Sequence, residues 1–161
     1  EKPLALTGAK ILTITGDAIE NGVLVVQHGK IVAVGPRDTA IPADATRRDV
    51  SGKWIMPGIV DTHSHIGSVA LADPSAPIQP ELRALDSINV RDPSVSKARA
   101  GGITTANVMP GSGHLLSGQT LYLKLKDGRT IEDLAIKNAD GSRSRVIRIA
   151  PYTGVLSLDN A

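Results

Sequence analysis

The sequence predicts an α/β fold in which a strand-only first third is followed by units that alternate helix and strand. Three observations carry this. Two β-branched runs, Gly22 to Gln27 and Lys30 to Gly35, flank His28-Gly29, and glycine supplies the positive φ that a tight hairpin turn needs. Further on, the segment from Arg91 to Ala100 reads as a helix stopped by Gly101-Gly102, and Ile103 to Met109 as a buried parallel strand, together one αβ step. Between the two regions lies Met56-Pro-Gly-Ile-Val-Asp-Thr-His-Ser-His65, a strand-like run that is polar at its far end.

Taken in order, Leu4 to Thr15 alternates apolar and small polar residues (Leu4, Leu6, Ile11, Ile14) and reads as a strand. The hairpin follows. Ala40 to Asp49 is expected to be a loop broken by Pro42, after which Val50 and Lys53 to Met56 lead to Pro57-Gly58. Ile59-Val60 look buried. Side chains two apart on a strand share a face, so Asp61, His63 and His65 point one way and Thr62 and Ser64 the other. Two imidazoles about 7 Å apart along the backbone can lean onto one metal ion. A bare His-x-His fits an ordinary polar strand end equally well; the ordered context on both sides is what separates the readings.

A Pro-, Ala- and Ser-rich loop runs from Ile66 to Pro80. Asp92 is placed to N-cap the next helix, with Pro93 at its first position, where the missing N–H is not needed. Pro110 to Gly118 is a glycine-rich loop whose Ser112 and His114 offer polar contacts; it lacks the Gly-Lys-Ser/Thr end of a phosphate-binding loop. Gln119 to Leu125 alternates as a strand, Asp127-Gly128 turns, and Thr130 to Asp133 is a capping box opening a short helix. Lys124 reads as a solvated or paired strand lysine. Asn138 to Arg145 is a turn and basic loop, and Val146 to Ala150 another short strand; Arg143, Arg145 and Arg148 read as a solvated edge rather than an anion site. No feature stands out from Thr153 to Ala161.

Composition narrows the function. Eighteen Lys and Arg against 16 Asp and Glu leave the chain at +2, and 2% aromatic residues offer little for base stacking, so no nucleic-acid partner is expected. No apolar run reaches the length of a membrane span. The absence of Cys removes disulfides, thiolate ligands and a Cys nucleophile. The chain opens on Glu1 rather than Met, read as the mark of a removed segment; a periplasmic or secreted product is one expectation, a cytoplasmic one the other.

Several phrases combine into a resemblance. Gly22-Val-Leu-Val, Gly29 to Gly35, Gly52 to Gly58, Asp61-Thr-His-Ser-His65 and Ala98 to His114 with its Gly-Ile-Thr-Thr resemble the N-terminal portion of the metal-dependent amidohydrolase superfamily, in its imidazolonepropionase-like branch. The resemblance implies a β-sandwich part over residues 1–56 and, over residues 57–161, the first βα units of a (β/α)₈ barrel. A full barrel takes roughly 200 residues or more, so the barrel is expected to be incomplete here. It further implies hydrolysis of C–N bonds in small amides, cyclic amides or dipeptide-like substrates. His63 and His65 would be metal ligands, with zinc the default and Mn, Fe or Ni suited to the same donors.

Asp61 would orient a histidine rather than act as general base. His114, in a loop after a strand, reads as a substrate contact or a support to groups that do touch substrate, and equally as a solvated histidine of an ordinary glycine-rich turn. The family's later ligands, a carboxylated Lys or Glu, two His and an Asp, have no recognised counterpart; Lys124 is not assigned as the carboxylated lysine. A homo-oligomer or a partner chain completing the barrel is therefore expected. The alternative is a non-catalytic β-rich assembly or interaction module derived from such an enzyme, with exposed strand edges as its contact surface.

Overall fold

A computed structural model describes residues 1–69, 73–111, 113–144, 146–149 and 155–157. The chain divides into two compact units, Glu1–Pro57 and Gly58–Ala161.

The first unit is one five-stranded sheet built from β1 (Leu4–Ile11), β2 (Ile19–Gln27), β3 (Lys30–Gly35), β4 (Thr46–Asp49) and β5 (Trp54–Ile55). The order is β3-β2-β1-β4, with β5 also pairing β1. The β2–β3 hairpin forms as expected. His28 (φ 49°) and Gly29 (φ 70°) both take positive φ, the conformation that matches a two-residue turn to the strand twist. Residues 46–49, expected within a loop, instead run parallel to β1 from Leu4↔Thr46 to Thr7↔Asp49. Their side chains are all exposed, so the strand is held through its backbone and leaves no apolar alternation in the sequence.

Period-2 alternation divides the apolar residues of this sheet. Ala5, Val23 and Val25 form one cluster, and Leu24 joins Ala9 and Ile11 in another. A register irregularity between Thr7 and Ala9 inverts the alternation of β1, which is why Ala5 and Ala9 belong to different clusters.

The second unit contains β6 (Ile59–Ser64), α1 (Pro93–Ala100), β7 (Ile103–Val108), β8 (Leu116–Gln119), β9 (Leu121–Lys124), α2 (Ile131–Leu134), β10 (Val146–Ile149) and β11 (Val155–Ser157). β6 and β7 pair in parallel with α1 between them in sequence, a βαβ step. β9 runs antiparallel to β7, so the β6-β7-β9 sheet is mixed; β11-β10-β8 form a second sheet. The run 119–125, expected as one strand, is divided at Thr120: residues before it pair with β10 and residues after it with β7.

Opposed residues on β7 and β9 share a face. The pairs Ala106↔Leu123 and Val108↔Leu121 therefore mark one side, which buries Val95 of α1, Leu134 of α2, Leu125, Val69 and Ala84 in a single core. The pairs Thr105↔Lys124 and Asn107↔Tyr122 mark the other. Ile59 and Val60, which look buried in the sequence, are 48% and 55% exposed; among the described residues β6 is the edge strand of its sheet and has a partner on one side only.

The start of α1 follows its sequence. Asp92 accepts from the Ser94 backbone N–H at 2.8 Å, and Pro93 occupies the first turn. Hydrogen bonds from the Ser68 hydroxyl, the Ser94 hydroxyl and the Ser94 N–H, in that order, hold the Asp92 carboxyl below the usual aspartate range. A group depressed in the folded state stabilises the fold above its unfolded pKa, about 3.9, and that contribution is lost as pH falls through the folded value. Asp92→Asn keeps a cap but removes the charge. Its melting temperature is expected to lie below that of the parent at pH 6 and to converge with it as the pH falls through the lowered folded pKa of Asp92, measured by circular dichroism.

Candidate functional site

The histidine motif sits at a register defect. Asp61 lies opposite Ala106 and Ser64 opposite Val108, so three steps along β6 match two along β7, and the surplus residue falls at Thr62-His63. Such a bulge bends its strand and re-aims the side chains it carries. The Asp61 carboxylate accepts the His63 backbone N–H at 3.0 Å and closes a local turn across it. The sequence places Asp61 behind an imidazole; in the structure its described bond is to the backbone of His63.

The two rings lie 5.2 Å apart, centroid to centroid, with planes at 82°. Alternate residues of a regular strand stand roughly 6.8 Å apart along the backbone, so the two rings lean toward one another. His65 follows directly on β6, and its Nδ1 is 2.8 Å from the Met109 carbonyl oxygen. A carbonyl can only accept, so Nδ1 is the donor, which leaves Nε2 as the ring nitrogen that can face a ligand. Met109 is itself fixed by donating its N–H to the Ser64 carbonyl at 2.9 Å. The parallel pairing of the ends of β6 and β7 thus sets the ring that the motif contributes. A backbone carbonyl has no side-chain signature, so this contact could be found only by knowing that the two strands are neighbours.

Asn107 was also missed. It is 1% exposed, with Nδ2 3.5 Å from the Thr62 carbonyl, the long end of a hydrogen bond, while its Oδ1 finds no donor among the described residues. A buried acceptor left unpaired costs about 1–3 kcal/mol. The only sequence signal was an amide inside an otherwise apolar and small strand, Ile103 to Val108.

The remaining candidates lie apart from the ring pair. His114 is half-buried in the glycine-rich loop, where its carbonyl accepts the Ser117 hydroxyl at 3.5 Å. The Asp73 carboxyl is held low by the Ser75 N–H and hydroxyl, with Gln79 and the charge of His114 adding smaller amounts. Lys124 is exposed and donates to the Thr105 hydroxyl at 3.2 Å, a paired lysine as expected. Arg143 pairs with Glu132; Arg145, the side chain of Arg148, and Ser112 lie outside the described residues. Among the described residues, no group of three or more His, Cys, Asp or Glu could hold a metal ion. No helix there is long and apolar enough to cross a membrane.

No protein-family model matches the sequence. The chain is similar to 5-methylthioadenosine/S-adenosylhomocysteine deaminase of Symbiobacterium thermophilum, 48% identical over 71 residues, 42% of the chain and 16% of that protein. It is similar to the amidohydrolase tasK of Hapsidospora irregularis, 31% identical over 119 residues, 67% of the chain and 12% of that protein. Imidazolonepropionase of Paracoccus denitrificans matches at 49% over 51 residues, 30% of the chain and 12% of that protein. The chain thus spans under a fifth of each of these relatives.

Among solved structures, an amidohydrolase from Thermotoga maritima superposes with a TM-score of 0.70 at 31% identity, over 77% of the chain and 34% of that structure. Curated relatives and a solved neighbour agree with the motifs around His63 and Gly102: the chain belongs to the amidohydrolase superfamily, in its imidazolonepropionase-like branch, and corresponds to the N-terminal portion of its members.

Proposed function

We propose that this chain provides the His-x-His part of the metal site of a hydrolase that cleaves C–N bonds in small amides, cyclic amides or dipeptide-like substrates. The observation that carries the reading is the ring pair: two imidazoles drawn to 5.2 Å, one with its Nδ1 committed to a carbonyl. A ligand imidazole whose second nitrogen is held by a carbonyl is the usual arrangement around protein-bound metals, since it fixes the tautomer and raises the basicity of the other nitrogen.

His63 and His65 would hold the ion, with zinc the default and Mn, Fe or Ni suited to the same donors. A divalent ion supplies Lewis acidity toward a carbonyl oxygen and acidifies water. Asp61 keeps the His63 backbone in its bulged path, and the Met109 carbonyl keeps the proton on Nδ1 of His65. His114, in the loop that follows β7, is the candidate for substrate contact.

Catalytic zinc sites use three protein ligands, one more than the imidazole pair offers. The third would come from further chain or from a partner subunit. In this reading, β6, α1 and β7 are the opening βα unit of a barrel, and residues 1–56 a β-sandwich part. The likeness to the Thermotoga maritima amidohydrolase supports both.

Zinc affinity tests the proposal. In competition with a chromophoric chelator, the chain is expected to take up zinc, with binding at least about tenfold weaker in His63→Ala and in His65→Ala. No uptake, or equal affinity in all three proteins, overturns the metal-site reading.

A further inference from the structure

Among the described residues, Asn107 is the one buried polar group of the second unit that reaches toward the histidine motif without completing its own hydrogen bonds. Its position follows from register. With Asp61 opposite Ala106 and Ser64 opposite Val108, Asn107 is the β7 residue that faces the whole Thr62-His63 bulge. Its Nδ2 approaches the Thr62 carbonyl, which a bulge turns out of the regular ladder. The orientation of the amide is fixed by chemistry, because only the NH₂ end can satisfy a carbonyl.

The other end is orphaned. Leucine has nearly the same shape and no polar atoms, so it would be the more stable occupant of a 1% exposed site. A buried amide with one end unpaired, whose side-chain hydrogen bond runs to the bulge, breaks the local packing rule in the way residues with a functional task do.

We infer that Asn107 is a positioning residue: through the Thr62 carbonyl it holds the bulge that brings His63 over His65. The inference rests on the ring pair proposed above as the metal site, and its test does not need the metal. Without the clamp the bulge relaxes and the His63 ring moves off its 5.2 Å approach to His65; cross-relaxation falls with the sixth power of distance, so a separation about 1.3 times larger lowers it about fivefold.

The experiment is nuclear Overhauser measurement between the His63 and His65 ring protons in the full, metal-free chain. It compares the parent with Asn107→Leu and Asn107→Val, and records a melting temperature for each. The expected result is a melting temperature equal to or above that of the parent in at least one variant, with the inter-ring signal reduced about fivefold. A signal of parental strength in a folded variant overturns the inference. So does unfolding of both variants, which would show the amide to be a stabilising core residue. Parent protein that lacks the inter-ring signal overturns it as well, because the pair would not exist. A variant-sensitive ring pair in a chain that takes up no zinc sinks the metal-site reading and leaves this one standing.

Discussion

Leu123→Ala is expected to destabilise the second unit by about 2–5 kcal/mol, the usual range for truncating a buried leucine. Leu123 is fully buried, pairs with Ala106 across the strands, and sits in the core shared by Val95, Val108, Leu121, Leu125 and Leu134. The loss has two parts: the transfer free energy of the deleted atoms, and the cavity that close-packed neighbours cannot fill. Ala106, the residue opposite, is too small to move in. Against a typical total of about 5–15 kcal/mol, the change removes a large fraction of the stability.

The consequence reaches the site through β7. That strand contributes Ala106 and Val108 to the core and is followed by Met109, whose carbonyl orients His65. Urea unfolding followed by circular dichroism is expected to show a midpoint shift of that size in the second transition, or in the only one if the units unfold together. Ile31→Ala, at an exposed position of β3, is the matched control and is expected to change stability by less than about 0.5 kcal/mol. Equal effects from the two substitutions would mean that the assigned core is wrong.

Features written in local chemistry were legible in the sequence. The hairpin at His28-Gly29, the Asp92-Pro93 entry to α1 and its end at Gly101-Gly102 each depend on residues within a few positions of one another. The His-x-His spacing is local too and visible in the sequence, but the bulge that carries His63 is a matter of register with β7 and is not. Features that depend on neighbours distant in the chain were not legible. β4 pairs with β1 while showing only Thr-Arg-Arg-Asp, because a strand bonded through its backbone needs no apolar face. Ile59 and Val60 read as buried because β-branched residues suit a sheet interior, and composition cannot say whether a strand has one neighbour or two. The Met109 carbonyl and the Asn107 amide reach the motif only through the β6–β7 register, which a single sequence does not specify.

Gly118→Ala is expected to cost about 2–5 kcal/mol, combining a left-handed backbone penalty of about 1–2 with about 1–3 for steric overlap. Gly118 has φ +111°, a conformation L-residues rarely adopt, and a β-carbon placed there would stand 2.5 Å from the Leu82 carbonyl oxygen and 2.9 Å from the Leu82 Cβ. Rotating a side chain cannot relieve the first contact, because the obstructing atom belongs to the backbone. That backbone is also tied in place: the Gln119 N–H donates to the same Leu82 oxygen at 2.6 Å, and bridges join Ile78 to Leu116 and Arg83 to Gln119. The close approach of β8 to residues 78–83 therefore requires glycine.

Alanine would force the two segments apart, loosening the Ser75–Gln79 stretch beside Asp73 together with the loop that carries His114. Limited proteolysis is expected to cut the variant between residues 73 and 83 at protease concentrations that leave the parent intact, with its urea midpoint lowered to match. Loss of stability without new cleavage there would place the strain elsewhere along β8. A variant as stable as its parent would refute the close approach itself.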